Sequence, residues 1–444
     1  MIKEEDMDYI RVLLKNSNLE GRYHDSFTAF CSHNCEAITY QDGIEKKRKT
    51  YFRGESIEIN PNDIALETER IKLVPSVLSA KITVESIIRN QGQPSYFGTL
   101  EIRREEGGLL VVNEVLLEDY LCTVVPSEMP SAYPMEALKA QAVCARTYAY
   151  GKMLQTGLPQ LGAHVDDSAG FQVYNNISEQ ASTTEAVKAT HNIIAVFDEE
   201  PIGAYYYSTS CGSGSDTSVW HGGNSTLPYL QSKIIGTDSD ETDLTKEENF
   251  RNWIMNINET HYEAEEGWYR WSYQVNKVDG QHMEEVLKTR YENNPGFILT
   301  QNKEGDFASK EINNLGSLKD IRIVKRLSGG VADELLLNFE NAVIKVISEL
   351  NIRYVLADGR TKVIRLSKDE ADASTMLPSA FIIINPMKDG EEIIGYSITG
   401  GGFGHGVGMS QNGAKNMAME GMNYEEIMAF FYPGIQLKTL QFEE

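Results

Sequence analysis

The chain has 444 residues with 41 basic and 65 acidic side chains, so its formal charge is −24. A field of that sign repels nucleic acid and anionic lipid surfaces, which sets both aside as principal partners. Its length is enough to bury a large core in two or three domains, and no apolar run approaches the roughly 18 residues of a membrane span.

The N-terminal stretch MIKEEDMDYIRVLLKN is acidic and has no apolar centre, so it does not read as a signal peptide. Export would then depend on a segment outside this sequence. Residues 8–120 read as β-rich, with runs such as IRVLL, ITVESII, LEIRR and GLLVVNEVLL broken by Gly, Asn and Asp. This part holds Cys31, His33 and Cys35, whose spacing would put all three on one face of a strand. Three ligands at that spacing match no common zinc pattern. Five cysteines in all, an odd and sparse set, make no disulfide framework.

Residues 121–235 carry the longest helical signal, about 134–155, PMEALKAQAVCARTYAYGKMLQ. Pro134 suits its first turn, Glu136 suits the positive helix end, and Gly157 lies just past the last turn. Ahead of it, VVPSEMPSAYP sets Glu128 between Pro126 and Pro130, whose fixed φ angles stiffen a turn around it. Within the helix Lys139, Ala142, Val143 and Arg146 share one stripe, and the many alanines predict close packing. Buried there, Lys139 and Arg146 need acidic or polar partners, so structural ion pairs with a solvated Glu128 form the plainer reading.

Further on, AYYYSTSCGSGSDT (204–217) is either an ordinary strand and loop or an aromatic and hydroxyl platform for a sugar ring. Ser208 and Ser210 lack the G-x-S-x-G elbow of a serine hydrolase. Residues 236–330 read as a variable insertion with an acidic loop and the cluster WYRWSY. Residues 331–444 return to β-rich patterning and contain GGGFGHGVGMSQNGA (400–414). Its glycines allow positive φ and close backbone approach, and Ser410 can cap the helix that follows. No Lys-Ser/Thr follows the glycines, so nucleotide binding is not indicated, and a lone His405 reads first as a structural hydrogen-bonding residue.

In order along the chain, LEDYLCTVVPSEMPSAYPMEALKAQAVCARTYAY, FQVY, AYYYSTSCG, GFGHGVGMSQNGAKNMA and FYPG closely resemble the stage II sporulation protein D / LytB family. The likeness spans about Ile10 to Leu437, so residues 8–444 are expected to form one region of that type. It implies an α+β fold with a central catalytic helix and a cleft between sub-domains. Glu128, that helix, the 205–211 strand end and the 400–414 loop are expected to line the cleft. It also implies a peptidoglycan lytic transglycosylase of sporulation or engulfment that cuts peptide-stripped glycan between MurNAc and GlcNAc, leaving 1,6-anhydroMurNAc ends. Glu128 matches the catalytic acid. Lys139 and Arg146 match basic positions of the motif helix, and Tyr206, Ser208, Ser210, His405, Ser410 and Gln411 match positions expected around the cleft.

LytB-type relatives are described instead as enhancers of a wall amidase, which keeps a non-catalytic alternative open. Expected partners are glycan strands, a sporulation-type amidase and a membrane-anchored protein, at an extracytoplasmic wall or membrane surface. Some relatives hold zinc with one His and two Cys ahead of the QVY motif. The corresponding GAHVDDSAGFQVYNN has His164 but no cysteine, so neither metal nor other cofactor is expected.

Overall fold

In the computed structural model, residues 8–63, 70–155, 157–221, 227–238 and 241–441 are described. Helices make up 24% and strands 34% of the chain, which gives the mixed α and β content expected. The chain divides into two units, the first from Met1–Ala204, Asn423–Glu425 and Ile435–Glu444, the second from Tyr205–Met422 and Glu426–Gly434. The expected divisions at 120, 235 and 330 therefore fall inside units, and the observed one falls between Ala204 and Tyr205.

The first unit is built on Gly108–Leu116, whose continuous apolar run LLVV is buried on both faces of the strand. This strand pairs antiparallel with Tyr9–Leu14 on one side and Thr99–Glu105 on the other, inside a seven-stranded sheet. Alternation sends Ile10, Val12, Leu14, Leu109 and Val111 into the main core, while Leu13, Leu110 and Val112 face a smaller one. A four-stranded sheet that includes Phe27–Cys31 and Ile82–Val84 adds to the main core.

Three helices pack here: α1 (Leu117–Glu128), α2 (Met135–Leu154) and α3 (Ala181–Ala189). Helix α1 corrects the expectation of a turn around Glu128, since the chain is helical up to that residue. Glu118 and Asp119 favour its first turn, and Tyr120, Leu121, Val124 and Val125 are buried. Pro126 lies in the last turn, where its missing N–H forfeits a single helical bond. The helix stops because Met129 precedes Pro130, and a residue before proline is forced out of the helical region. Met129 is extended, with φ −133° and ψ 134°. Pro134 likewise stands just outside α2, as the residue preceding its first turn. Five alanines of α2 are fully buried, in keeping with the close approach their size permits.

The second unit contains two five-stranded sheets and a short parallel pair, Tyr206–Tyr207 beside Met409–Ser410. Its helices include α4 (Glu247–Met255), α5 (Gly280–Asn293), α6 (Glu349–Leu356) and α7 (Gln411–Met419). No helix among the described residues is long and apolar enough to cross a membrane.

Candidate active site

In the first unit Glu128 is the last residue of α1 and half-buried. Its Oε1 accepts the backbone N–H of Val173 at 2.6 Å. The neighbouring Ser127 Oγ accepts from the N–H groups of Asn176 (3.1 Å) and Ile177 (3.0 Å). The FQVYNN segment is thus fastened to the end of α1, and its inner side is anchored as well. Gln172 Nε2 donates to the Ala145 carbonyl of α2, and Tyr174 donates to Asn113 Oδ1 at 2.8 Å. A carboxylate held by a neighbouring segment's amide is positioned by two elements at once.

Arg146 is fully buried. Its Nε and Nη2 grip both oxygens of Glu118 at 2.6 and 2.9 Å, and the remaining donors reach Thr190 Oγ1, Ile193 O and Val187 O. All five guanidinium N–H groups are used within the protein, so Arg146 ties α1, α2 and α3 together and has no donor left for a substrate. Lys139 is partly exposed and pairs with Glu136 at 2.7 Å, while Glu136 Oε2 also accepts the N–H of Tyr424.

The other six residues singled out by the sequence come together in the second unit. The chain pairs Tyr206 with Met409 and Tyr207 with Ser410, and bridges Thr209 to Phe403 and Ser215 to Val407. The glycines make this possible. Gly408 has φ +78°, and a Cβ on it would lie 2.0 Å from the Tyr205 carbonyl oxygen that accepts the Met409 N–H. Ser410 caps α7, its Oγ accepting from the Gly413 N–H.

At the centre of this junction is a residue that no motif marks. Glu263 is fully buried and accepts from the Ser210 N–H (2.9 Å), the Ser210 hydroxyl and the Ser410 hydroxyl (2.6 Å). Burial pushes its carboxyl up to about 7, with the serine hydrogen bonds working the other way. Ser210 and Ser410, 1% and 0% exposed, therefore join the strand to the loop through Glu263 and do not line an open cleft. Gln411 opens α7 and is buried too, and the Ser208 carbonyl accepts from the next amide, Asn412. Tyr206, Ser208 and His405 are half-buried and keep exposed surface.

His405 Nδ1 accepts from the Val407 N–H at 3.1 Å, which places the proton of the neutral ring on Nε2. Burial, helped by the Arg353 charge, holds its pKa down at about 4. Its ring lies 5.4 Å from Trp220, which in turn lies 4.6 Å from Tyr205. Trp220 was missed in the sequence because it follows the motif as an isolated aromatic.

Residues 105–197 match the family described as Stage II sporulation protein, and residues 215–408 match a domain of unknown function, DUF8618. The chain is 27% identical over 319 residues to the amidase enhancer of Bacillus subtilis, covering 71% of this chain and 40% of that protein. It is 27% identical over 344 residues to stage II sporulation protein D of Bacillus subtilis, covering 73% of this chain and 75% of that protein. A third likeness, 36% over 135 residues, is to stage II sporulation protein D of Bacillus amyloliquefaciens and covers 27% of this chain and 39% of that one. The chain thus spans less than half the length of the amidase enhancer.

Proposed function

We propose, from the premise that residues 105–197 place this chain in the stage II sporulation protein D / LytB family, that it is a peptidoglycan lytic transglycosylase. Relatives named for sporulation and for amidase enhancement support a cell-wall role in sporulation, outside the cytoplasm. The observation that carries the finer reading is a single carboxyl, Glu128, fixed at a helix end by the Val173 amide.

Lytic cleavage asks for one such group. Glu128, protonated, gives its proton to the glycosidic oxygen between MurNAc and GlcNAc as that bond breaks. As carboxylate it then takes the proton of the MurNAc C6 hydroxyl, whose oxygen closes on C1 to form the 1,6-anhydro ring. No water is consumed, and Glu128 ends as it began. Two-carboxylate glycosidases divide these tasks between two side chains. Position matters as much as acidity in such a step, which gives the anchored 171–177 segment its purpose. Lys139 supplies positive charge on α2, Arg146 holds the helices that carry the site, and Tyr206, Ser208 and His405 are the glycan-contacting candidates of the second unit. Peptide-stripped strands are the substrate and an amidase the natural partner, with a membrane-anchored protein as a further one.

The test is incubation with peptide-free glycan strands and mass spectrometry of the products. The expected products end in 1,6-anhydroMurNAc. Glu128→Gln retains an acceptor for the Val173 N–H but has no proton to give, so cleavage should fall by roughly 10²–10⁴-fold while glycan binding survives. Reducing ends carrying an added water, or full activity in Glu128→Gln, would overturn the assignment. The likeness to the amidase enhancer favours a second reading, a non-catalytic stimulator of an amidase. That reading wins if neither protein cleaves glycan and both stimulate an amidase.

A further inference from the structure

Helix α4 carries Asn249 and Asn252, three positions apart, with Trp253 beside them, and Asn256 follows as the extended residue that ends the helix. That spacing puts Asn249 and Asn252 on one helix face, with Asn256 just beyond its end. Together with Asn258 and Arg270 they line a cavity of about 370 Å³ in the second unit, within the size range of small-molecule sites. Glu128, Lys139 and Arg146 have no part in it.

Its walls are built. The Trp253 indole N–H donates to the Cys211 carbonyl at 3.2 Å, and its ring lies 4.8 Å from that of His261, itself buried and bonded to the Tyr269 hydroxyl at 2.7 Å. Asn258 is held by Asp238 and by Thr260. Under the site Arg270, 7% exposed, spreads four N–H bonds over the carbonyls of Cys211, Tyr269, Trp253 and Asn256. Its Nε has no hydrogen-bond partner, and no carboxylate forms an ion pair with it among the described residues. Two of those carbonyls cap the C-terminal end of α4, and this explains part of the arginine's presence. The guanidinium also lies over the Tyr269 ring, 4.0 Å from its centroid, and it brings a positive charge to the cavity beside the asparagine side chains.

We propose that this cavity binds an N-acetylated sugar ring. An acetamide offers one donor and one acceptor, the complement of an asparagine side chain, and its carbonyl oxygen is drawn to the side of the buried guanidinium. The indole supplies an apolar surface for the sugar's C–H groups. The choice of sugar rests on the glycan-cleaving reading above, but the site does not depend on cleavage.

The chain has four tryptophans, so its indole N–H signals can be resolved by NMR and that of Trp253 assigned by its loss in Trp253→Phe. Titration with N-acetylglucosamine should move the Trp253 signal saturably, and glucose, which lacks the acetamide, should bind at least tenfold more weakly. Asn252→Ala, at an exposed position that leaves the fold intact, should weaken binding about tenfold, which corresponds to about 1.4 kcal/mol, the worth of one or two hydrogen bonds. A silent Trp253 signal, equal binding of glucose, or no effect of Asn252→Ala would each overturn the proposal. Saturable binding by a protein that cleaves no glycan would remove the catalytic reading and leave this site standing. Cleavage with a silent Trp253 would do the reverse.

Discussion

Glu263 has a carboxyl wholly inside the protein, held only by serine donors, with no ion pair to offset its burial among the described residues. Its pKa rises from the ordinary 4.5 to about 7, so between those values the folded chain keeps a proton that the unfolded chain has released. Stability from this group is present in full below about pH 4.5 and is lost as pH rises through 7. Glu263→Gln is neutral throughout and keeps an acceptor for the Ser210 N–H. Thermal unfolding from pH 5 to 8 should therefore show the wild type losing ground to Glu263→Gln as pH rises, by several degrees at the top of the range. Parallel curves would mean the carboxyl is not protonated in the folded protein. His405 acts with the opposite sign, since its depressed pKa costs stability as pH falls from 6.5 toward 4, which is why the comparison is between variants. The sequence pointed to Ser210 and Ser410 but not to the residue that joins them. In HYEAEEGWYR, Glu263 stands among two other glutamates with no periodicity or spacing to separate it from surface charge.

At the scale of elements, the sequence was legible where one period ran uninterrupted. The strand Gly108–Leu116 and the long helix α2 follow directly from an unbroken apolar run and from small residues at helical spacing. Helix α1 was hidden because Pro126 reads as a breaker, although in a last turn it removes only one hydrogen bond. The partner of Arg146 was equally hidden, because Glu118 is 28 positions away and belongs to that unread helix. The need for such a partner was legible from burial alone. Arg146→Met keeps most of the volume and removes all five donors, leaving the Glu118 carboxylate with only the long Asn192 N–H bond and no cation facing it from α2. Stability in urea should fall by about 3 kcal/mol, the lower end for a broken buried pair, because the Glu118 side chain is still 24% exposed. Arg146→Lys should recover only part of this, since one ammonium cannot serve both carboxylate oxygens and three further acceptors. Full recovery in the lysine variant would show that charge alone matters at this junction.

Across the whole molecule, the motifs were legible in their order, but the division between Ala204 and Tyr205 was not. No glycine- or proline-rich linker marks it, and the apolar and aromatic run continues from one side to the other. The matched segments, 105–197 and 215–408, fall one on each side. The same whole-chain view bears on metal. Among the described residues no three His, Cys, Asp or Glu side chains gather as a metal site. Cys31 and Cys35 are buried while His33 between them is exposed, because residues 32–34 make the turn between two strands and do not continue one. The expectation that all three share a strand face is corrected by that turn. His164 is also committed, since its Nδ1 accepts the Arg11 N–H at 3.1 Å. A protein whose stability depended on bound zinc would unfold when a chelator removed it. Purified protein should therefore contain well under one equivalent of zinc by elemental analysis, and added chelator should leave its Tm unchanged. A stoichiometric metal whose removal lowers Tm would require ligands drawn together from outside the described geometry, and would reopen the chemistry assigned to Glu128 alone.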